Sequence, residues 1–206
     1  MIAIVDYGLG NLRSIQNMLR KAGVESFITA EPAKLAGSKK LILPGVGHFR
    51  YGMQCLKERG LIDVLNDRVQ DAKVPVLGIC LGAQLLGRRS AEGPADGLGW
   101  IAMDVVPFDR DKLGPADRVP HMGWTDTKPG GHALFAGQRD PRFYYVHSYH
   151  FQCDSPGAVI ATAEHGYRFP AAVASGNVMG VQFHPEKSHA FGMKLLKTFA
   201  AMDADR

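Results

Sequence analysis

The chain has 206 residues, 46% hydrophobic and 21% charged, with 24 glycines and 12 prolines, a profile that excludes collagen-like, low-complexity and disordered classes. The net charge of +4 is modest, and its short pairs, Lys39-Lys40 and Arg88-Arg89, are not interleaved with aromatics as a nucleic-acid platform would be. No apolar run approaches the roughly 20 residues of a membrane helix, and Asp6 stands where a signal peptide would continue its apolar segment, so a cytoplasmic location with neither membrane nor nucleic-acid partners is expected.

The first half alternates strands and helices. Ile2 to Val5 reads as a strand. Asn11 to Ala22 reads as a helix with Leu12, Ile15, Met18 and Leu19 on one face and Gly23 as its stop. Leu41 to Leu43 is a buried strand ended by Pro44-Gly45. Gln54 to Gln70 carries helical spacing interrupted at Gly60. Val74 to Ile79 is a strand running into Cys80 to Leu86, which has helix propensity. In the second half the strand candidates are Val105-Val106, Phe143 to Val146, Val159 to Ala163, Ala171 to Ala174 and Val178 to Phe183. A last helix spans His189 to Met202. With no linker or internal repeat, the pattern predicts one three-layer αβα domain over residues 1–206. Its central sheet is mostly parallel and covered on both faces, with antiparallel additions.

The sharpest motif is Gly78-Ile-Cys-Leu-Gly82, which follows an apolar strand and opens a helix. It has the form of a nucleophile elbow with cysteine as nucleophile; the flanking glycines leave room for the tight turn. Of the three cysteines, Cys55, Cys80 and Cys153, odd in number and widely spaced, none suits a disulfide framework or a zinc knuckle. Cys80 is the candidate nucleophile, and the helix start behind it favours the reactive thiolate. The N–H of Leu81 is a candidate oxyanion donor. A base and its orienting group come from His184-Pro-Glu186 at the end of an apolar strand, with Pro185 fixing the turn so that Glu186 reaches back to the imidazole. Leu43-Pro-Gly-Val-Gly47 also follows a strand; it is either a plain loop or one whose glycines let the backbone approach a ligand, with Val46 a candidate second oxyanion donor and Gly47 a candidate substrate contact. Gly8-Leu-Gly10 lacks the dinucleotide fingerprint, and no cofactor is expected.

The remaining histidines are read as bystanders. His132, His165 and His189 are expected to be solvated, and His48 and His121 to be hydrogen-bonded structural residues. His147 and His150, three apart on one strand, are expected on opposite faces, against a shared metal.

These motifs in this order resemble class I, triad-type glutamine amidotransferases. Asp6-Tyr-Gly-Leu-Gly-Asn-Leu-Arg-Ser14, Pro120-His-Met-Gly-Trp124 and Tyr145-Val-His-Ser-Tyr149 are similar to the branch that forms the glutaminase subunits of imidazole glycerol phosphate synthases. The resemblance spans the chain. It implies that Cys80 attacks the side-chain amide of glutamine, that His184 serves as acid and then base, and that Gln84 contacts the substrate. It also implies a heterodimer with a (β/α)₈-barrel synthase subunit that receives the ammonia and stimulates the glutaminase. Asn11, Arg13, Trp124, Tyr145 and Lys187 match positions near that partner or the channel mouth. Thr125 departs from the asparagine common in the branch. The tail from His184 to Leu196 is also compatible with a paralogous branch that supplies ammonia for amidination of an acetamido sugar in surface-polysaccharide synthesis. A stand-alone cysteine hydrolase and an idle scaffold are the remaining alternatives; a scaffold would be expected to lose part of the triad, and all of it is present.

Overall fold

The computed structural model describes residues 1–202; the last four residues of the expected 1–206 domain lie outside the described residues. The first half contains β1 (Ile2–Val5), α1 (Leu12–Lys21), β2 (Ser26–Thr29), α2 (Pro32–Ala36), β3 (Lys40–Gly45), α3 (Phe49–Glu58), α4 (Ile62–Asn66), β4 (Val76–Cys80) and α5 (Leu81–Gln84). Then follow β5 (Arg89–Ser90), β6 (Gly93–Asp96), β7 (Met103–Pro107), β8 (His121–Pro129), β9 (Arg142–His147) and β10 (Tyr149–Cys153). The chain continues through β11 (Val159–His165), β12 (Tyr167–Ser175), β13 (Val178–Val181) and α6 (His189–Ala201).

A nine-stranded sheet runs in the order β2-β1-β3-β4-β13-β12-β11-β8-β9. Its first five strands are parallel and the rest pair antiparallel, as the sequence pattern predicts for this α/β class. Strand alternation divides the interior. Ile2, Ile4, Ile42, Leu77 and Ile79 face a core shared with Ile15 and Leu19 of α1 and Leu195, Leu196 and Phe199 of α6. Ala3, Val5, Leu41, Leu43 and Val76 face the other core, with Leu56 of α3, Leu65 of α4 and Met103, Val105 and Phe151 of a second, four-stranded sheet, β10-β7-β5-β6.

Several expected boundaries move for identifiable reasons. The helix expected from Gln54 begins at Phe49, whose N–H is capped by the Glu92 carboxylate at 2.7 Å, a contact from a distant turn. The break at Gly60 is present (φ +63°), and residues 67–71 form a π-helical turn. Strand β3 runs on through Pro44 to Gly45, paired with Ile79 and Cys80. β2, β5, β6, β8 and β10 are not among the predicted strands; the polar run of β8 conceals its pairing with β9.

Candidate functional site

The candidate site elements meet at the carboxyl ends of β1, β3, β4 and β13, where open α/β sheets collect their ligands. Cys80 ends β4 and precedes α5 with φ 53° and ψ −113°, a backbone state rarely held by a non-glycine residue. The flanking glycines are required by close approach: a Cβ on Gly78 would lie 2.6 Å from the Ala83 backbone, and one on Gly82 would overlap the Leu43 carbonyl. Gly82 therefore fits α5 against β3 and sets the thiol beside the loop after that strand. A cavity of about 250 Å³ opens there, lined by Val46, Gly47, Cys80, Leu81, Gln84, Glu92, Val146, Tyr149 and His184 among others. A larger groove of about 790 Å³ lies elsewhere, between Arg50 and Leu98, and holds no nucleophile.

His184 enters from the neighbouring strand, just beyond β13. Its backbone N–H donates to the Tyr144 carbonyl at 2.9 Å. The Ser188 hydroxyl donates to the His184 carbonyl at 2.6 Å and accepts from the Tyr144 N–H at 2.9 Å, so the His-Pro-Glu turn is tied to β9. The Nδ1 of His184 donates to Glu186 Oε1 at 2.8 Å, and both side chains are about 1% exposed. Burial alone would lower the imidazole pKa; its interactions with Cys80, then with Glu186, reverse this and raise it to about 10. Glu186 shows the reverse balance: burial pushes its carboxyl up, and His184, with help from Asn11, holds it below the ordinary carboxylate value. His184 Nε2 has no hydrogen-bond partner among the described residues, and the residue lines the cavity together with Cys80.

Asn11, expected at the partner face, has a second position in this site. Its Nδ2 donates to Glu186 Oε1 at 2.8 Å, making it a positioning residue for the carboxylate. Gln84 is buried, and its amide donates to the Tyr149 carbonyl (3.2 Å) and to Gln182 Oε1 (3.1 Å). Gln182 Nε2 in turn lies 3.9 Å from Cys80 Sγ. Sequence reasoning missed Gln182 and Glu92. A glutamine in the otherwise apolar run toward Phe183, fully buried, was the available signal for the first.

The expected partner-face residues divide. Trp124 is 40% exposed and stacks on His189 with ring centroids 5.4 Å apart; it also meets Tyr144 edge-on. The exposed Lys187 ammonium lies 5.6 Å from the Tyr144 ring. Arg13 is exposed on α1, two residues from Asn11. Tyr145 does not belong with them. It is fully buried and its hydroxyl bonds Thr127 at 2.6 Å, because alternation on β9 turns Phe143, Tyr145 and His147 inward. Tyr144 is the tyrosine that faces outward.

The histidines also need correction. His48 is exposed and its side chain forms no hydrogen bond among the described residues, whereas His165 is largely buried, stacked 4.3 Å from His121. His147 and His150 do not face apart: the chain leaves β9 at Ser148 and enters the second sheet as β10, so both rings pack on Phe108. His121 is buried and hydrogen-bonded, as expected.

Residues 3–202 match the family described as Glutamine amidotransferase class-I. The chain belongs to this family. The amidotransferase is 47% identical over 205 residues to the "Imidazole glycerol phosphate synthase subunit HisH 2" of Pseudomonas aeruginosa, covering 98% of this chain and 100% of the relative. It is 48% identical over 201 residues to the similarly named "HisH 2" subunit of Methanococcus maripaludis, covering 97% and 98%. A solved structure described as a glutamine amidotransferase superposes with a TM-score of 0.72 at 22% identity, covering 95% of this chain and 99% of that one; at that identity the likeness concerns the fold. Among the described residues no helix is long and apolar enough to cross a membrane.

Proposed function

We propose that this amidotransferase is the glutaminase subunit of an imidazole glycerol phosphate synthase, acting in histidine biosynthesis with a (β/α)₈-barrel partner that consumes the ammonia. The observation that carries the reading is the polarity of His184: Nδ1 is held by Glu186, Nε2 is unpaired among the described residues, and the residue lines one cavity with Cys80. End-to-end likeness to subunits of that name supports the assignment of pathway.

In this mechanism the Cys80 thiolate attacks the amide carbonyl of glutamine and the N–H groups of Val46 and Leu81 receive the oxyanion. His184 Nε2 gives its proton to the departing nitrogen, the C–N bond breaks, and ammonia leaves a glutamyl thioester. A water then gives a proton to His184 as it attacks the thioester, releasing glutamate and restoring the thiolate–imidazolium pair. Glu186 keeps Nδ1 protonated through both halves. Gly47 and the Gln84 wall border the substrate, and Glu92 on the same cavity supplies the charge suited to an α-ammonium group. Asn11, Arg13, Trp124, Tyr144 and Lys187 form the face offered to the partner.

The test is ammonia release with candidate barrel subunits added singly, each with and without its acceptor ligand. Cys80→Ala should abolish release while retaining partner binding; retained turnover would overturn the nucleophile. Stimulation by the histidine-pathway synthase and its ribonucleotide ligand supports the proposal. Thr125, in place of the common asparagine, favours a second reading in which the ammonia serves amidination of an acetamido sugar. Stimulation by a sugar-modifying partner alone would select that one.

A further inference from the structure

Beside the glutamine pocket lies a group of histidines that the mechanism above does not use, one of which, His147, also lines the cavity. His121 and His147 are cross-strand partners on β8 and β9. With His150 and His165 they surround the Phe108 ring, the four ring centroids lying 5.0 to 6.2 Å from it.

The hydrogen bonds of the first pair have a single consistent direction. A carbonyl only accepts, so His147 Nδ1, 2.8 Å from the Tyr149 carbonyl, carries a proton. Burial lowers the pKa of both rings, that of His121 to about 4, which keeps them neutral near pH 7. The Nε2 of His147 therefore bears a lone pair and accepts from His121 Nδ1–H at 3.0 Å. His121 Nε2 is then an acceptor as well, and the Thr125 hydroxyl at 2.8 Å is its donor. Both nitrogens of both rings are engaged, which leaves no lone pair for a metal ion.

The far end of this chain is the active site. The Tyr149 carbonyl that receives the His147 proton also receives the Gln84 amide, and Gln84 bonds Gln182, which reaches Cys80 Sγ. The near end is the docking strand. β8 carries Thr125 on its inner side between the outward Trp124 and Asp126, with Met122 exposed nearby.

We infer that Thr125 is a positioning residue for glutamine hydrolysis: its hydroxyl donates to His121 Nε2 and holds that ring on His147, which shares the Tyr149 carbonyl with the Gln84 amide of the glutamine pocket wall. The inference rests on the Cys80 cavity being where glutamine is hydrolysed. It makes β8 a strand with two faces, one for the partner and one for the substrate wall, joined by directional hydrogen bonds. It also gives the Thr125 position a requirement, a side-chain donor aimed at His121, that serine meets directly.

The test compares Thr125→Val and Thr125→Ser by ¹⁵N NMR of the histidine rings in the full chain, and by steady-state glutaminase assays in the complex with the stimulating subunit. The valine variant should shift the ring-nitrogen resonances of His121 and also of His147. It should lower kcat/KM for glutamine by about five- to tenfold, with most of the loss in KM. Serine should restore both readouts to within about twofold of the parent. Unchanged His147 resonances with unchanged KM in the valine variant, or a serine variant as impaired as valine, would overturn the inference. If the valine variant does not fold, Thr125→Ala removes the same donor without added bulk. Cys80→Ala run in parallel separates the two ideas: turnover surviving there overturns the hydrolytic site, whereas the ring-nitrogen shifts report on Thr125 alone.

Discussion

Replacing Asn11 by alanine should slow glutamine hydrolysis about tenfold, and the size of the effect follows from the Glu186 carboxylate. Its side chain is about 1% exposed. Oε1 takes both available donors, Asn11 Nδ2 and His184 Nδ1, each at 2.8 Å, while Oε2 has none among the described residues. Removing Asn11 therefore takes one of two donors from a buried charge, and a hydrogen bond to a charged group contributes about 1.5–3 kcal/mol. Asn11 is itself only half-buried, so water can replace part of the interaction and the lower end applies, about 1.5 kcal/mol, or roughly a factor of ten in kcat. Asn11→Asp should be worse, about a hundredfold, because a second carboxylate would face Glu186 where the amide now donates. Glutamate release measured across about pH 5 to 9 gives the second readout. With a donor to its ionised form removed, the Glu186 pKa rises, so the acid limb of the alanine variant should move upward. An alanine variant with parental kcat and an unmoved acid limb would refute the reasoning, as would an aspartate variant no worse than alanine.

Gly82→Ala should destabilise the fold by about 3 kcal/mol, because the new Cβ meets backbone that cannot swing aside, the Leu43 carbonyl; a denaturation midpoint equal to the parent's would contradict this. His184 and Glu186 should give the fold opposite pH slopes. The imidazole pKa is raised from 6.5 to about 10, so its stabilisation is complete below the unfolded value and is lost as pH rises toward the folded one. The Glu186 pKa is lowered from 4.5, so its contribution is present above that value and is lost as pH falls through the folded one. Urea midpoints should thus decline on both sides of neutrality, and His184→Gln should flatten the alkaline side; an undiminished alkaline decline in that variant would count against the pairing. Lys187→Glu should leave stability within about 0.5 kcal/mol of the parent, since the ammonium is exposed. The same change should weaken partner binding about tenfold in a titration if Lys187 lies on the docking face; unchanged affinity would remove it from that face.

The Cys80 elbow and the His184-Pro-Glu186 turn were legible because each is local: strand, tight turn and chemistry lie within a few residues. Apart from β2, the parallel half of the sheet was legible for the same reason, its apolar runs alternating with helix-period segments. Features set by distant partners were not. Phe49 starts α3 because Glu92 caps it, and Asn11 meets Glu186 across 175 positions of chain. Tyr144 and Tyr145 are adjacent and chemically alike, so only strand register decides which one faces outward. β8 escaped detection because its inward residues, His121, Thr125 and Thr127, are polar groups satisfied by one another's strands rather than an apolar stripe.

The position of β13 has a consequence for how the enzyme is born. This strand lies at the centre of the large sheet, between β4 and β12, yet follows all the other described strands in the chain. A ribosome that has released everything up to residue 175 has made the Cys80 elbow, but the flank of β4 that β13 will occupy is still an open edge. Such edges recruit foreign strands, and closing this one requires the long-range pairing that slows folding. The nascent thiol meanwhile has no imidazole beside it, because His184 is carried by the segment that seals the gap. Arrival of one short strand therefore closes that edge and brings the candidate base to the candidate nucleophile in the same step.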